Sequence, residues 1–251
     1  MSAAIVYATA VGEWLVSSSG NRIVTLNVMH GGGARVSALI RALEAIEANV
    51  LVLSEFRTGR SGDSLAAGLE RLGYSCAAPD SRPRENSVLV ASRDTIETSS
   101  TLHESATDGR HLRTVRTAGL TICGVYMPLG AAKLPYWELV IDAAQASAAD
   151  LFVGDFNTGT QDLDRDPRGA PFVGADRMQL MTDTGFVDLW RSAHPETREY
   201  TWFSRGAKNG FRLDQAFASR AFTARVSACF YDQNPRTSGI TDHAALVVEF
   251  D

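Results

Sequence analysis

The feature that most constrains the fold is an alternation of strand-like and helix-like segments that occurs twice along the chain. In the first half, the β-branched segment Arg22–Met29 precedes apolar residues at helical spacing and then the short apolar run Val50–Leu53. In the second half, the apolar run Leu151–Val153 follows another helical pattern. Wholly apolar runs are typical of central strands covered on both faces. We therefore predict two packed β-sheets with helices outside them.

The remaining segments extend this pattern over the whole chain. Further strands are predicted at Ser87–Ala91, Leu112–Thr117, Leu120–Tyr126, Arg212–Ala218, Val226–Tyr231 and Ala244–Phe250. Helices are predicted at Val36–Ile46, Gly62–Leu72, Leu134–Ala144 and Arg177–Thr184. The stretch Thr158–Ala175 is rich in Asp, Gly and Pro and is predicted to be the least ordered. Since we find no linker and no repeat of short period, residues 1–251 are expected to form a single domain.

Composition limits the class of protein. The chain has 251 residues, of which 45% are hydrophobic and 21% charged, as in globular proteins. The net charge of −5 counts against a nucleic-acid-binding protein, although an acidic metal site can coexist with a local basic surface. The three cysteines are far apart, which favours buried thiols over zinc or disulfides. Met1–Ser19 lacks a basic segment typical of signal peptides, so we expect a cytoplasmic protein without membrane spans.

Polar side chains follow many of the predicted strands. Ligands of layered α/β folds bind at such strand ends. The residues concerned are Asn27, Glu55, Tyr126, Asp155, Asn157, Asp214, Asp242 and His243. Any one of them is typical of a turn or helix cap, but the set is not. Its oxygen-rich character suits Mg²⁺ or Mn²⁺ better than zinc, and no HExxH, P-loop or GxSxG motif occurs.

Six short motifs, in order from Asn27 to His243, resemble those of the endonuclease/exonuclease/phosphatase superfamily. They are Leu26–Val28, Ser54–Glu55, Tyr126–Pro128, Gly154–Asn157, Arg212–Asp214 and Thr241–His243, with Ser54 and Thr241 in place of the family's common Gln and Ser. The resemblance implies an α/β (α+β) fold, namely a four-layered α/β sandwich of two packed mixed β-sheets flanked by helices. It also implies hydrolysis of a phosphate ester.

The resemblance further implies roles for these residues. Glu55 would bind Mg²⁺, with Mn²⁺ as the alternative, and Asn27 and Asp242 would lie near the metal. Asp155 would orient or deprotonate the attacking water, and Asn157 would donate to phosphate oxygens.

The other three implied roles concern the phosphate. His243 would polarise a phosphate oxygen, and Asp214 would fix the tautomer of His243 and favour its charged form. Tyr126 would hydrogen-bond the phosphate.

Two segments resemble the exonuclease III type of abasic-site endonucleases within the superfamily. In Tyr200–Phe203 and Phe211–Asp214, the side chains of Trp202, Phe211 and Leu213 would form the wall of a pocket for a flipped sugar without a base. Packing in the core is the alternative role for Trp202 and Phe211.

The chain also departs from that branch. Met29 stands where those nucleases carry an acid, Leu129 stands where a polar residue is common, and the segment between Pro128 and Gly154 is short. A nuclease still needs a basic surface, for which we select Arg57, Arg205 and Lys208; a solvated surface is the alternative.

The leading hypothesis is a Mg²⁺-dependent phosphodiesterase that hydrolyses DNA, with abasic sites as a candidate target. Its expected partner is DNA, with no membrane and no obligate protein partner. The alternative is the same chemistry on RNA, a small phosphoester or a lipid headgroup. A catalytically silent binding protein is disfavoured because every acid of the motifs and His243 are present.

Overall fold

The computed structural model describes residues 20–78, 80–103 and 107–251. Its strands are β1 (Asn21–Asn27), β2 (Val50–Phe56), β3 (Ser75–Ala77), β4 (Ser87–Ser92), β5 (Ile96–Thr101), β6 (Leu112–Thr117), β7 (Leu120–Tyr126), β8 (Leu151–Asp155), β9 (Val187–Asp188), β10 (Trp202–Phe203), β11 (Gly210–Phe211), β12 (Asp214–Ala218), β13 (Val226–Asp232) and β14 (Ala245–Phe250). Its helices are α1 (Val36–Ile46), α2 (Arg60–Arg71), α3 (Leu134–Gln145), α4 (Asp176–Asp183), α5 (Leu189–Ala193), α6 (Arg220–Thr223) and α7 (Asn234–Thr237). The segment Met1–Ser19, in which we expected no signal peptide, lies outside the described residues.

Two large mixed sheets dominate the fold. The first has the strand order β13-β14-β1-β2-β4-β3 and the second the order β5-β6-β7-β8-β12-β9. Near the middle of each sheet lies a parallel pair, β1 with β2 and β7 with β8, whereas the other pairings are antiparallel. A separate ribbon pairs β10 with β11. The strands β6 and β7 are joined by a tight turn and pair as an antiparallel hairpin.

The sheets and helices form four layers. Successive side chains of a strand point to opposite faces, so Ile23 of β1 packs in the apolar layer between the sheets, while Val24 packs against α1 and α2. On the far side, Trp137 of α3 packs on the outer face of the second sheet. The predicted four-layered sandwich is confirmed. We propose that the chain is one domain, because both sheets share the inner layer.

The topology brings the ends of both sheets together. The parallel strands β1 and β2 end on the same side of the first sheet, as β7 and β8 do in the second. β12 runs antiparallel to β8 and begins with Asp214 opposite Asp155. A hydrogen bond of 2.9 Å from Asn27 to Asp155 joins the two sheets at this end. None of the helices among the described residues is long and apolar enough to cross a membrane.

Several short elements were not predicted, namely β3, β9, β10, β11, α5, α6 and α7, and two longer regions are instructive. β5 was not predicted because its sequence, IETSST, is polar and mostly exposed at the edge of the sheet. The stretch Thr158–Ala175 contains no helix or strand beyond a bridge at Arg165, as its composition indicates. It is nevertheless held firmly, because its buried Asp164 pairs with Arg212 at 2.7 Å.

Candidate active site

Glu55 reaches the site through an irregularity in β2. The register between β2 and β4 shifts at this residue, as in a β-bulge, and Glu55 has a φ of 55°, which is uncommon outside glycine. Bulges redirect a side chain from the sheet face toward a site. The Glu55 carboxylate faces the cleft and accepts a hydrogen bond of 2.7 Å from the backbone N–H of His30.

Asp155 is buried at the centre of the site. Its Oδ2 accepts from the Asn27 side chain and its Oδ1 from the backbone N–H of Asn157, both at 2.9 Å. Burial and the neighbouring charge of Asp214 raise the pKa of Asp155 to about 7, although His243 and the two hydrogen bonds oppose the rise. A carboxyl group with such a pKa can exchange a proton with water near neutral pH.

Gly154, directly before Asp155, is required by a close approach of the two central strands of the second sheet. Its φ is 151°, and a Cβ atom at this position would lie 1.9 Å from the carbonyl oxygen of Val125. A side chain would therefore push β8 away from β7 and displace Asp155.

Asp214 and His243 form a buried pair behind the cleft. The Nδ1 atom of His243 lies 2.8 Å from Asp214 Oδ2. Burial alone would lower the pKa of His243, but the carboxylate of Asp214 raises it to about 9, with further help from Asp155. The Thr241 hydroxyl donates to the Asn27 carbonyl at 2.6 Å and anchors the turn that carries His243. The carboxylate of Asp214 thus favours the charged form of His243, which lines the wall of the cleft.

Tyr126 presents its hydroxyl group to the same cleft. The Asn86 side chain donates to this hydroxyl at 2.8 Å, which leaves the phenolic proton to be donated elsewhere. Burial and the charge of Glu55 raise the pKa of Tyr126, so the hydroxyl stays protonated.

A cleft of about 520 Å³ opens above these groups and has one aromatic side. The rings of Trp202 and Phe211 are 5.9 Å apart, and Phe172 packs edge-on against Phe211 at 5.6 Å. The Trp202 indole also donates to Asp242 Oδ2 at 3.1 Å. Phe211 is both buried and part of the wall, so core packing and pocket formation are not exclusive.

Most of the predicted site residues meet at this cleft. Its lining includes Glu55, Tyr126, Asp155, Asn157, Trp202, Arg205, Phe211, Leu213, Asp242 and His243. Asn27 and Asp214 are buried behind it and contact Asp155 and His243, respectively. Arg57 lines an adjoining cleft. Lys208 is exposed and is not among the described residues that line either cleft.

Several lining residues were not selected from the sequence, among them His30, Lys133 and Phe172. Lys133 is buried and donates to the carbonyl of Asn157. Burial lowers the pKa of Lys133 to about 8, although Asp155 opposes this. Lys133 is the single charged residue between Pro128 and Leu134, and this isolated charge is a sequence signal that could have marked it as a site residue.

A buried ion-pair network supports the aromatic side of the cleft. Arg212 bridges Asp164 and Asp188, with nitrogen–oxygen distances of 2.7 and 2.6 Å, and its side chain is fully buried. Burial raises the pKa of Asp164, but Arg212 outweighs this and lowers it to about 2. Arg212 directly follows Phe211 in the wall of the cleft, and Asp164 lies in the loop that also carries Phe172. Within that loop, the Gln161 side chain hydrogen-bonds the backbone of Phe172, so the ion pairs connect the wall to this loop.

The oxygen donors of the site fit a divalent cation. Glu55 and Asp242 offer carboxylates to the cleft, and the Asn27 amide lies beside Asp155. Among the residues that the structure describes, Asp155, Asp214 and His243 also have ligand atoms within 4.8 Å of one another. In that group, Asp214 and His243 already contact each other at 2.8 Å.

Comparison with known proteins identifies the family and agrees with the fold. The model of the Endonuclease/Exonuclease/phosphatase family matches residues 24–243. Among solved structures, the chain resembles an AP endonuclease from Archaeoglobus fulgidus at 24% identity and a TM-score of 0.81, covering 92% of this chain and 99% of that one.

Two other structures show a similar likeness, each covering 92% of this chain and 99% of the other at a TM-score of 0.80. They are a 3′-5′ exonuclease from Neisseria meningitidis at 25% identity and a 3′ phosphatase from Neisseria bound to a product DNA hairpin at 24%. The family match covers most of the chain. This protein therefore belongs to the endonuclease/exonuclease/phosphatase family, whose enzymes hydrolyse phosphoric esters with a divalent metal ion.

Proposed function

We propose that this protein is a Mg²⁺-dependent nuclease that hydrolyses DNA phosphodiester bonds, with abasic sites as its target. One observation carries the proposal: a single cleft combines Asp155 and His243 with the aromatic wall of Trp202 and Phe211. An apolar wall beside the reacting groups can receive a flipped sugar that has lost its base. A nucleotide that keeps its base would fit poorly in such a pocket.

The proposed reaction is an attack of water on the phosphorus. Asp155 would take a proton from the water, a P–O bond would form to the water oxygen, and the P–O bond to the leaving sugar oxygen would break. Glu55, with Asn27 and Asp242 nearby, would hold the Mg²⁺, whose charge would offset that of the phosphate and the leaving oxygen.

Three further side chains would hold the phosphate. His243, charged and fixed by Asp214, would donate to a phosphate oxygen through its other ring nitrogen. Tyr126 would donate its phenolic proton, since its oxygen already accepts from Asn86. Asn157 uses one amide hydrogen on the Met127 carbonyl at 2.7 Å and would donate the other.

A basic cleft beside the site supports a polymeric substrate. This second cleft, of about 670 Å³, shares His30 with the first and is lined by Arg57, Arg60 and Arg84. Guanidinium groups placed there would bind phosphates that flank the cleaved bond. Arg205, at the rim of the first cleft, would serve the same purpose, and Lys208 beyond it would contact DNA farther from the cut.

A second candidate is the same chemistry on RNA, a small phosphoester or a lipid headgroup. Two exposed apolar side chains at the rim favour it: Leu129, which is 76% exposed, and Val173, which is 42% exposed. Such a rim suits an apolar substrate. The net charge of −5 also opposes a long polyanion.

Cleavage of a substrate panel separates the two candidates. The panel contains duplex DNA with one abasic site, intact duplex, single-stranded DNA, RNA, a nitrophenyl phosphodiester and a sphingomyelin vesicle, each with Mg²⁺. We expect cutting of the abasic duplex, its loss in Asp155→Asn, and no loss in Asp142→Asn, which alters an exposed acid on α3. Hydrolysis of the other substrates without any cutting of DNA would refute the proposal.

Truncation of the aromatic wall tests the abasic site itself. Trp202→Ala should lower kcat/KM for the abasic duplex by about tenfold or more, because the flipped sugar loses its wall. Hydrolysis of the nitrophenyl phosphodiester should fall much less. Equal losses on both substrates would show that Trp202 supports Asp242 rather than recognising a sugar.

A further inference from the structure

His30 lies beside the proposed metal ligand Glu55. The preceding residue, Met29, lines the cleft but offers only a thioether, which is a poor ligand for Mg²⁺. The next residue, His30, places Nδ1 2.8 Å from Glu55 Oε2. Its side chain is 53% exposed, so an ion from solvent can reach it.

The contacts of His30 cannot all be satisfied by one tautomer. Nδ1 also lies 2.9 Å from the guanidinium of Arg57, which can only donate. If Nδ1 carries a proton, it can donate that proton to Glu55, but it cannot then accept from the N–H group of Arg57. If it does not, it accepts from Arg57 and faces the carboxylate with a lone pair. In the second arrangement no hydrogen lies between Nδ1 and Glu55 Oε2, so two electron-pair donors stand 2.8 Å apart, as two ligands of one cation would once the contact with Arg57 is given up.

We propose that His30 is a nitrogen ligand of the metal bound at Glu55, and that this nitrogen lets the site bind Mn²⁺ as well as the Mg²⁺ of the proposed function, and more tightly. The inference rests on the proposed function only in placing the metal at Glu55. Two donors that are each about 2.1 Å from one ion lie about 3 Å apart at an octahedral angle, close to the observed separation. Imidazole nitrogen binds first-row transition metals better than Mg²⁺, which prefers oxygen.

Arg57 need not obstruct this arrangement. Its Nε donates to Asn86 Oδ1 at 2.5 Å, so the side chain stays in place when its contact with Nδ1 is lost. The guanidinium then faces the adjoining basic cleft, where the substrate's phosphates are proposed to lie. His30 and Arg57 would thereby divide metal binding and phosphate binding between them.

Direct metal binding tests the inference without turnover. Calorimetry with Mn²⁺ and with Mg²⁺ gives the ratio of the two dissociation constants, and electron spin echo spectroscopy of the Mn²⁺ complex detects a coordinated nitrogen. The variants are His30→Ala and His30→Gln, where glutamine keeps a polar side chain but offers no imidazole. The control is His103→Ala, an exposed histidine that lines a different cleft.

We expect both His30 variants to weaken Mn²⁺ binding by about tenfold or more, to change Mg²⁺ binding much less, and to lose the nitrogen signal. His103→Ala should change neither. Unchanged Mn²⁺ affinity, or a nitrogen signal that persists in His30→Gln, would overturn the assignment of His30 alone. If the unaltered protein bound no divalent ion, the metal role of Glu55 in the proposed function would fall as well.

Discussion

The charge of Asp214 raises the pKa of both groups on which the proposed chemistry depends. Burial lowers the pKa of His243, but Asp214, 2.8 Å away, raises it to about 9. Burial raises the pKa of Asp155, and Asp214 adds to this, giving about 7. The reaction needs ionised Asp155 and protonated His243. We therefore expect a bell-shaped profile of kcat/KM with limbs near these two values, which belong to the coupled group.

Asp214→Asn removes the charge while keeping the size of the side chain. Without it, burial should bring the pKa of His243 to its ordinary 6.5 or below. A fall from about 9 to 6.5 equals about 3 kcal/mol of lost preference for the charged ring. At about pH 7.5 the protonated fraction then drops to about a tenth, so kcat/KM falls about tenfold or more. The acid limb also moves down, because Asp214 raises the pKa of Asp155 more than His243 lowers it.

Two measurements check this prediction. The pH profile of kcat/KM should move to lower pH in Asp214→Asn and stay in place in Asp142→Asn. Nitrogen NMR of the His243 ring should show the same displacement without substrate. The proposed role of Asp214 would be wrong if the His243 ring titrated near 6.5 in the unaltered protein, or if the alkaline limb stayed in place in Asp214→Asn.

Three further predictions concern stability. Asp155→Asn should raise the free energy of unfolding at about pH 8 by on the order of 1 kcal/mol and have little effect near pH 4. The reason is that the folded pKa of Asp155, about 7, exceeds the ordinary 3.8, so the charged form destabilises the folded protein only as the pH rises. Urea denaturation at both pH values measures this difference, and equal effects at the two pH values would contradict it. Arg212→Ala should destabilise by about 3 kcal/mol or more, because Asp164 and Asp188 lose their buried partner; a change in unfolding free energy below about 1 kcal/mol would count against the network. Gly154→Ala should lower the melting temperature far more than Gly206→Ala, whose Cβ would meet no atom within 4 Å, and similar melting curves would argue against the close approach of β7 and β8.

The sequence was informative about the centre of the site because strand ends carry local patterns. An acid or amide directly after a buried strand can be located from the chain itself, as for Asn27 and Asp155. The polar residues at the start of β12 and before β14 follow from the same rule, since antiparallel strands begin where their neighbours end. Topology therefore gathered these residues as predicted.

Contacts between loops could not be predicted in this way. The approach of His30 to Glu55 depends on left-handed backbone at both residues and on a bulge in β2. The support of Tyr126 by Asn86 joins residues 40 positions apart, and only the folded loops bring them together. Phe172 joins the cleft because the buried Asp164 holds its loop in place, although the composition of that loop indicated disorder.

The most direct test of the proposed function is a comparison of two duplexes that differ at one position. One carries a stable abasic analogue and the other an intact nucleotide, and the end-labelled products map the position of cutting in Mg²⁺. We expect a cut at the abasic analogue, with kcat/KM at least about a hundredfold above the intact duplex, and loss of cutting in Asp155→Asn. Equal rates on both duplexes, or no cutting of either, would contradict it.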